Sequence, residues 1–216
     1  MKYLSEASKV LEGQKMFQIL EEAQELEKKG AKIIHLEIGD PDFCTPENVV
    51  EAAIKSLRDG NTHYVASSGI DRLKEASIQR SKLSRGFSPD KNQILVTAGA
   101  NVQIYYALAC IANPGDEIVT IDPCFVSYSS IMKFLGLQPK FVPLYEENNF
   151  KINPKDLKKC ITEKTRAILI NSPHNPTGAV LSEKEMRELY QIAEEHDVYL
   201  ISDEVYGRMV FKDGKG

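Results

Sequence analysis

The chain has 216 residues, of which 42% are hydrophobic and 27% are charged, and its formal net charge is −4. This charge gives no reason to expect a nucleic-acid surface, no apolar run approaches the ~20 residues of a membrane helix, and the N-terminus lacks the apolar block of a signal peptide. The four histidines show no metal-ligand spacing. The four cysteines form no Cys-x-x-Cys pair, which favours free thiols and a cytoplasmic protein.

The first ninety residues predict helices joined by short segments. Gly30 suits the position just after a helix, while Thr45 and Pro46 suit an N-cap and a first helical position. The predicted elements are helices at 5–29, from Thr45–Pro46 onward and near 70–83, and a strand at 33–38 that leads into Gly39.

From residue 93 onward, short apolar strands alternate with helices. The predicted strands are 93–97, 117–121, 140–143, 167–171 and 199–203, and the predicted helices are 101–112, 126–136, 154–161 and 182–195. This alternation predicts an α/β fold with a mostly parallel sheet and helices on both faces. Ligands of such sheets bind at the carboxyl ends of the strands.

Three groups of residues at predicted strand ends have chemistry suited to a ligand. Gly99, Ala100 and Asn101 open a helix, where backbone N–H groups suit a phosphate, although a glycine there is commonly only a turn. The segment lacks the dinucleotide and P-loop glycine patterns. Phe125 could hold a flat ring by stacking, or could be a core residue.

The third group comprises residues 171–178, Asn-Ser-Pro-His-Asn-Pro-Thr-Gly, and residues 202–206, Ser-Asp-Glu-Val-Tyr. The prolines and glycine predict a tight loop around Asn175. The alternative interpretation is that this loop is an ordinary surface turn. Asp203 ends an apolar strand, where a carboxylate is costly unless it is paired; its simpler explanation is a helix N-cap. Tyr206 follows three residues later.

Together these two motifs resemble the cofactor-binding core of pyridoxal-phosphate-dependent aminotransferases of class I/II, which have fold type I. The resemblance implies that Asp203 pairs with the ring nitrogen of pyridoxal 5′-phosphate and that Asn175 and Tyr206 hold its phenolic oxygen. It also implies a cis bond before Pro176. Phe125 would stack on the ring, and the phosphate would lie at Gly99, Ala100 and Asn101.

The resemblance also covers the N-terminal part of the chain. Gly39 matches a substrate-binding loop, and Tyr64 matches a tyrosine that reaches the phosphate of the partner subunit's cofactor, which implies a homodimer. Residues 1–44 would supply the N-terminal helix and substrate loop of a small domain, and residues 45–216 an incomplete cofactor-binding large domain. The substrates would be an amino acid and a 2-oxo acid.

The resemblance also implies what these 216 residues do not contain. Family chains are nearly twice as long, and the lysine that carries the cofactor lies further on, so no catalytic residue is assigned here. Lys212 and Lys215 lie in a polar tail. We expect non-covalent cofactor binding at most, unpaired edges at 93–97 and 199–203, a marginal or aggregation-prone chain, and rescue by a separately encoded C-terminal half.

Other functions remain open at this point. A lyase or a synthase on the same scaffold would use a nearly identical cofactor cradle, and a non-catalytic pseudo-enzyme would explain the missing lysine. A Rossmann dehydrogenase is a weaker alternative because the first strand has no glycine fingerprint. The sequence does not identify the amino acid handled.

Overall fold

The computed structural model describes residues 3–9 and 15–209, which divide by packing into two compact units. One unit is residues 15–98, and the other comprises residues 99–209 together with residues 3–9 of the described chain. The division therefore falls between residues 98 and 99. The expected boundary between small-domain and large-domain parts at 44/45 stays a prediction.

The unit that begins at Gly99 is built on a four-stranded parallel sheet, as predicted. The strand order is β2-β1-β3-β4, which requires crossover connections. The strands are β1 (Glu117–Asp122), β2 (Gln138–Pro143), β3 (Thr165–Asn171) and β4 (Tyr199–Asp203). The helices are α1 (Glu6–Lys9) at the N-terminus, α5 (Ala100–Ile111), α6 (Val126–Phe134), α7 (Pro154–Cys160) and α8 (Glu183–Glu195), with a 3-10 turn at Glu146–Asn148.

Helices cover both faces of this sheet, as the alternating pattern predicted. Because side chains alternate along a strand, Ile118 and Val119 of β1 enter different cores. Ile118 packs with Leu169 of β3 and with α5 and α6, while Val119 packs with Ile168 of β3 and with α7 and α8. Residues 167–170 of β3 are fully buried, since this strand lies inside the sheet.

Local capping explains where two of these helices begin. In α8, Glu185 N donates to Ser182 Oγ at 3.3 Å and Ser182 N donates to Glu185 Oε2 at 2.8 Å, so the predicted capping box is formed. In α7, Lys155 N donates to the side chain of Asn153 at 3.0 Å, and Pro154 is the first helical residue.

The unit of residues 15–98 is helical and differs from prediction in two segments. It contains α2 (Lys15–Lys28), α3 (Glu47–Arg58), α4 (Asp71–Arg85) and a 3-10 turn at Lys91–Gln93. Residues 33–38 and 94–97 are not strands, so the strands predicted at 33–38 and 93–97 were wrong. Apolar alternation alone does not make a strand, because a strand also needs a neighbour to form a ladder.

Two predicted helix boundaries also need revision. The predicted helix at 5–29 is described as α1 and α2, while residues 10–14 lie outside the described residues. Its end is as predicted, because Gly30 takes a φ of +90° directly after it. Pro46, not Thr45, is the N-cap residue of α3, and its cap has no side-chain hydrogen bond.

Among the described residues, no helix is both long and apolar enough to cross a membrane.

Candidate active site

The candidate site lies at the carboxyl ends of β3 and β4. The last residues of these strands, Asn171 and Asp203, are paired in register. The Asn171 side chain joins the two strand ends to the following loop: its Nδ2 donates to the Asp203 carbonyl at 2.9 Å, and its Oδ1 accepts from Asn175 N at 2.7 Å. This bridging asparagine was quoted in the sequence motif, but the motif did not indicate its role.

The loop after β3 is closed by its own backbone and side chains. Gly178 N donates to the His174 carbonyl at 2.7 Å, and His174 N donates to the Ala179 carbonyl at 2.8 Å. The bond before Pro176 is cis, as predicted, and so are those before Pro123 and Pro173. The surface-turn explanation of this loop is wrong, because His174 within it is buried and the loop is bonded to the end of β3 through Asn175 N and the buried Asn171 side chain.

His174 is a buried histidine within this loop. Its Nδ1 lies 2.7 Å from Thr177 Oγ1, and its Nε2 has no hydrogen-bond partner in the described part of the chain. Burial lowers the pKa of His174 below its ordinary value of 6.5, and the Pro123 backbone opposes this only in part. The imidazole is therefore neutral at neutral pH.

The carboxylate of Asp203 is half-buried and held by two donors. Its Oδ2 accepts from Tyr128 Oη at 2.5 Å, and its Oδ1 accepts from Val205 N at 3.1 Å. The second bond is a local turn contact of the kind that aspartate commonly makes after a strand. Asp203 is thus paired within the protein, which meets the expectation that a carboxylate here needs a partner.

Tyr128 is a residue that the sequence reasoning missed. It is 1% exposed, and burial, followed by the nearby Asp203, raises the pKa of its phenol far above the ordinary value of 10.0. Tyr128 therefore stays a hydrogen-bond donor to Asp203. The available signal was its spacing, because Tyr128 lies three residues after Phe125 and thus on the same side of α6.

An amide and a phenol meet beside the carboxylate. Asn175 Nδ2 donates to Tyr206 Oη at 3.3 Å. Tyr206 lies in the turn after β4, where Gly207 N donates to the Glu204 carbonyl at 2.9 Å. Since the Tyr206 oxygen accepts from Asn175, its own proton remains available for donation.

Phe125 and the start of α5 form the remaining side of the site. Phe125 is the N-cap residue of α6, and its ring contacts that of Tyr128 edge to face, with centroids 5.6 Å apart. Gly99 is the N-cap residue of α5, and its φ of +91° favours glycine strongly. Asn101, in the first turn, donates from Nδ2 to Ser127 Oγ at 3.3 Å.

These side chains enclose a cavity of about 220 Å³. It is lined by Ala100, Asn101, Phe125, Tyr128, Asn171, Asn175, Asp203, Val205 and Tyr206. Six of the predicted site residues are among them, and Gly99 directly precedes the first. Gly39 and Tyr64 belong to the unit of residues 15–98, where both are exposed, and their predicted roles stay predictions.

Comparison with known proteins identifies the family of this α/β fold and its strand-end site. The sequence profile of "Aminotransferase class I and II" matches residues 31–215. The chain belongs to this family, whose members use pyridoxal phosphate, as the sequence motifs indicated.

Two curated relatives show how far the similarity extends. The chain is 39% identical to "Aspartate aminotransferase" of Bacillus subtilis over 193 residues, which covers 89% of this chain and 49% of the relative. It is 44% identical to "Aromatic-amino-acid aminotransferase 2" of Thermococcus litoralis over 180 residues, or 83% of this chain and 46% of the relative. The chain therefore spans about half the length of the curated relatives that it matches.

A solved structure gives the same result for the fold. The aspartate aminotransferase of Thermus thermophilus, determined with maleate, superposes with a TM-score of 0.94 at 34% identity. The match covers 98% of this chain and 56% of the Thermus chain. The predicted fold class, an α/β fold with a mostly parallel sheet and helices on both faces as in the aminotransferases, is thereby confirmed.

Proposed function

We propose that this chain is the cofactor-binding part of a pyridoxal-phosphate-dependent aminotransferase, which moves an amino group from an amino acid to a 2-oxo acid. The observation that carries the proposal is the Asp203 carboxylate, which is held by two donors and lines the same cavity as Phe125 and the Asn175–Tyr206 pair. We expect the whole protein to act in the cytoplasm.

The residues present fit the chemical parts of this cofactor. When bound, the cofactor supplies an electron sink that stabilises a carbanion, and this requires a protonated ring nitrogen. Asp203 is the carboxylate that would face the nitrogen and favour its protonated form. Phe125, half-buried at the cavity wall, would pack against the flat ring.

Donors for the two oxygen-bearing groups lie on either side. Asn175 and Tyr206, joined by their 3.3 Å hydrogen bond, would both donate to the phenolic oxygen and so stabilise its negative charge. The first turn of α5, with Gly99, Ala100 and Asn101, would hold the phosphate by backbone N–H groups and the helix dipole. A Cβ on Gly99 would meet no atom within 4 Å, so there is open space on the Cβ side of this residue.

Two further residues, Gly39 and Tyr64, have roles that concern the assembled protein. We propose that Gly39 lies near the bound amino acid and that Tyr64 contacts the phosphate of the partner subunit's cofactor in a homodimer. The side chain of Tyr64 is fully exposed in the single chain, as a residue available to a partner subunit must be.

We also propose that catalysis needs the half of the relatives' length that this chain does not span. The lysine that carries the cofactor in the family would come from that half, either as continuing sequence or as a separate polypeptide. Co-expression of this chain with the C-terminal half of the Bacillus subtilis relative would test this. A purified complex with transaminase activity supports the proposal, while an inactive complex with bound cofactor contradicts it.

Cofactor binding by the chain itself is the direct test of the site. Adding pyridoxal 5′-phosphate should shift the cofactor's absorbance band, and Asp203→Ala should reduce the shift to the part that comes from imines with surface lysines. Asp122→Ala is the matched control, because Asp122 ends β1 at the same edge of the sheet but does not line the cavity. Equal shifts in the wild type and in Asp203→Ala would contradict the proposed role of Asp203.

A further inference from the structure

Tyr128 ties the carboxylate of the site to the core beneath the sheet. Its ring is 1% exposed and packs in the cluster formed by α5, α6 and the neighbouring face of the sheet, beside Met132 and Leu169. Its hydroxyl reaches the site, where it donates to Asp203 Oδ2 at 2.5 Å. A side chain locked by packing is a rigid support for the group that it contacts.

The two donors to Asp203 constrain different parts of the carboxylate. Val205 N bonds Oδ1 at 3.1 Å through a turn two residues long, and Tyr128 bonds Oδ2 from a helix 75 residues away in sequence. A carboxylate bonded through both oxygens has a fixed plane. Each oxygen keeps a further lone pair, because each has two.

We propose that Tyr128 is a positioning residue of the cofactor site, which holds the Asp203 carboxylate so that its remaining lone pairs face the ring nitrogen. This inference rests on the proposed function, since it takes the cofactor ring to lie in the same cavity. Tyr128 touches the ring nitrogen only through Asp203. Its loss should therefore affect whatever depends on that nitrogen and leave other cofactor contacts intact.

Ordinary core packing is the competing explanation for Tyr128. A buried tyrosine needs a partner for its hydroxyl, and any nearby acceptor would satisfy that need. The two explanations predict different effects on ligand affinity. If Tyr128 is purely structural, its replacement should weaken the binding of every ligand of the cavity equally. If Tyr128 is a positioning residue, its replacement should weaken only the binding of a ligand that has a ring nitrogen.

The test compares two probes of the same shape. Pyridoxamine 5′-phosphate has no aldehyde, so surface lysines cannot capture it, and its 1-deaza analogue has a C–H in place of the ring nitrogen. Both dissociation constants would be measured by equilibrium dialysis for the wild type, for Tyr128→Phe and for Tyr190→Phe. Tyr190 is the matched control because it lies on α8, 55% exposed and away from the cavity.

Tyr128→Phe should bind pyridoxamine 5′-phosphate about tenfold more weakly than the wild type, because an Asp203 carboxylate without this donor must be immobilised when the probe binds. Its affinity for the 1-deaza analogue should be unchanged, and Tyr190→Phe should match the wild type with both probes. The ring nitrogen of the bound probe, followed by absorbance, should lose its proton at a lower pH in Tyr128→Phe.

The pH titration can be read without interference from Cys124, which lies near the Tyr128 hydroxyl together with Asp203 and Tyr206. Burial raises the pKa of the Cys124 thiol to about 11, so the thiol stays neutral below pH 9. A range from about pH 5.5 to 8.5 therefore follows the probe while Cys124 does not titrate.

A measurement on the wild type covers the case in which Tyr128→Phe does not fold. The hydroxyl proton of Tyr128, observed by NMR, should shift on binding of pyridoxamine 5′-phosphate more than on binding of the 1-deaza analogue. Equal shifts, or equal weakening of both probes in Tyr128→Phe, overturn the inference and leave the proposed function standing. Failure of the wild type to bind either probe overturns both.

Discussion

The two compact units of this chain differ sharply in how much of their apolar surface is buried. The unit from Gly99 onward contains nearly all buried residues of the described chain, including every buried strand residue. Within residues 15–98, only Ala23 and Lys74 are buried. Apolar burial is the main favourable term in folding, so the two units should respond very differently to the same kind of mutation.

The helices of residues 15–98 show the same contrast locally. Helix α3 is strongly amphipathic by sequence, yet Val49 and Leu57 on it are 51% and 65% exposed. In the other unit, α8 is also amphipathic, and its Leu189 and Ile192 are each only 2% exposed. Patterning therefore predicted both helices, but it did not predict which apolar face would find a core.

The largest expected effect is a cavity in the sheet core. Ile168→Ala, at a fully buried position of β3, should lower the free energy of unfolding by about 2–5 kcal/mol. Leu57→Ala, on the exposed side of α3, should change it by less than about 0.5 kcal/mol. Urea denaturation followed by circular dichroism measures both. Comparable losses would show that the contrast between the units is wrong.

A single tight contact should make residues 15–98 sensitive at one position. Gly69 has a φ of +105°, and a Cβ there would lie 2.4 Å from Val96 Cγ2. Gly69→Ala should therefore cost about 1–3 kcal/mol of stability. Gly60→Ala separates strain from collision, because Gly60 also has a positive φ, +79°, but no atom lies within 4 Å of a Cβ there.

The double variant Gly69→Ala/Val96→Ala sharpens this test. Removing the Val96 methyl groups should restore the part of the stability that was lost by collision and leave the part lost by backbone strain. If the double variant loses more unfolding free energy than the two single variants lose together, the contact between Gly69 and Val96 does not explain the effect.

The sheet edge at β4 should govern association more than stability. β4 is at one edge of the described sheet, and Tyr199 on it is 62% exposed. We expect the chain alone to aggregate through this edge, and Tyr199→Lys should reduce aggregation because a charged edge residue opposes strand pairing. Light scattering at increasing concentration would measure it. Tyr190→Lys, on α8, is the control and should have little effect.

A soluble wild-type chain with a cooperative thermal transition would count against the expected aggregation. Unchanged scattering in Tyr199→Lys, with scattering by the wild type, would show that association runs through another surface.

The smallest expected effect is a pH dependence from His174. Burial lowers its folded pKa below 6.5, so the unfolded chain takes up a proton first as the pH falls. The stabilisation by neutral His174 is complete above pH 6.5 and is lost as the pH falls towards the lowered value. The thermal midpoint of the wild type should therefore drop as the pH falls below 6.5, and it should drop less in His174→Gln.

His35, in the unit of residues 15–98, should contribute a pH dependence of stability with the opposite sign. The hydrogen bond that His35 donates to the Glu37 carboxylate, followed by the one that it donates to Glu27, raises the pKa of His35 above 6.5. Its contribution is present below pH 6.5 and is lost as the pH rises through the raised value. His35→Gln should therefore leave the acid-side drop unchanged. If the thermal midpoint of His174→Gln falls with pH as much as that of the wild type, another group causes the pH dependence.

Sequence patterning predicted the strands and helices of the unit from Gly99 onward, whereas in residues 15–98 it predicted the helices correctly and two strands wrongly. The four strands of the sheet were placed within about two residues of their observed bounds, because their apolar runs are buried between helices on both faces. The runs at 33–38 and 93–97 have the same residue types, but they do not join the described sheet. A strand depends on a neighbour that can be far away in sequence.

The candidate site could be predicted to the extent that its residues lie in short motifs. Asn175, Asp203 and Tyr206 have side chains whose chemistry suggested their roles, and the parallel sheet brings the ends of β3 and β4 together. Tyr128 was missed because it looks like a core residue. The role proposed for its hydroxyl depends on the contact with Asp203, which is 75 positions further along the chain.

By itself, the sequence determined the parallel α/β sheet, its covering helices and the set of side chains at its carboxyl edge. Periodicity and short motifs are local, and they act through residues that are close in the chain. Only the tertiary structure decided which apolar segments became strands, which helix faces were buried, and that Tyr128 and Val205 hold the Asp203 carboxylate. These features depend on contacts between distant segments, and no local pattern encodes such a contact.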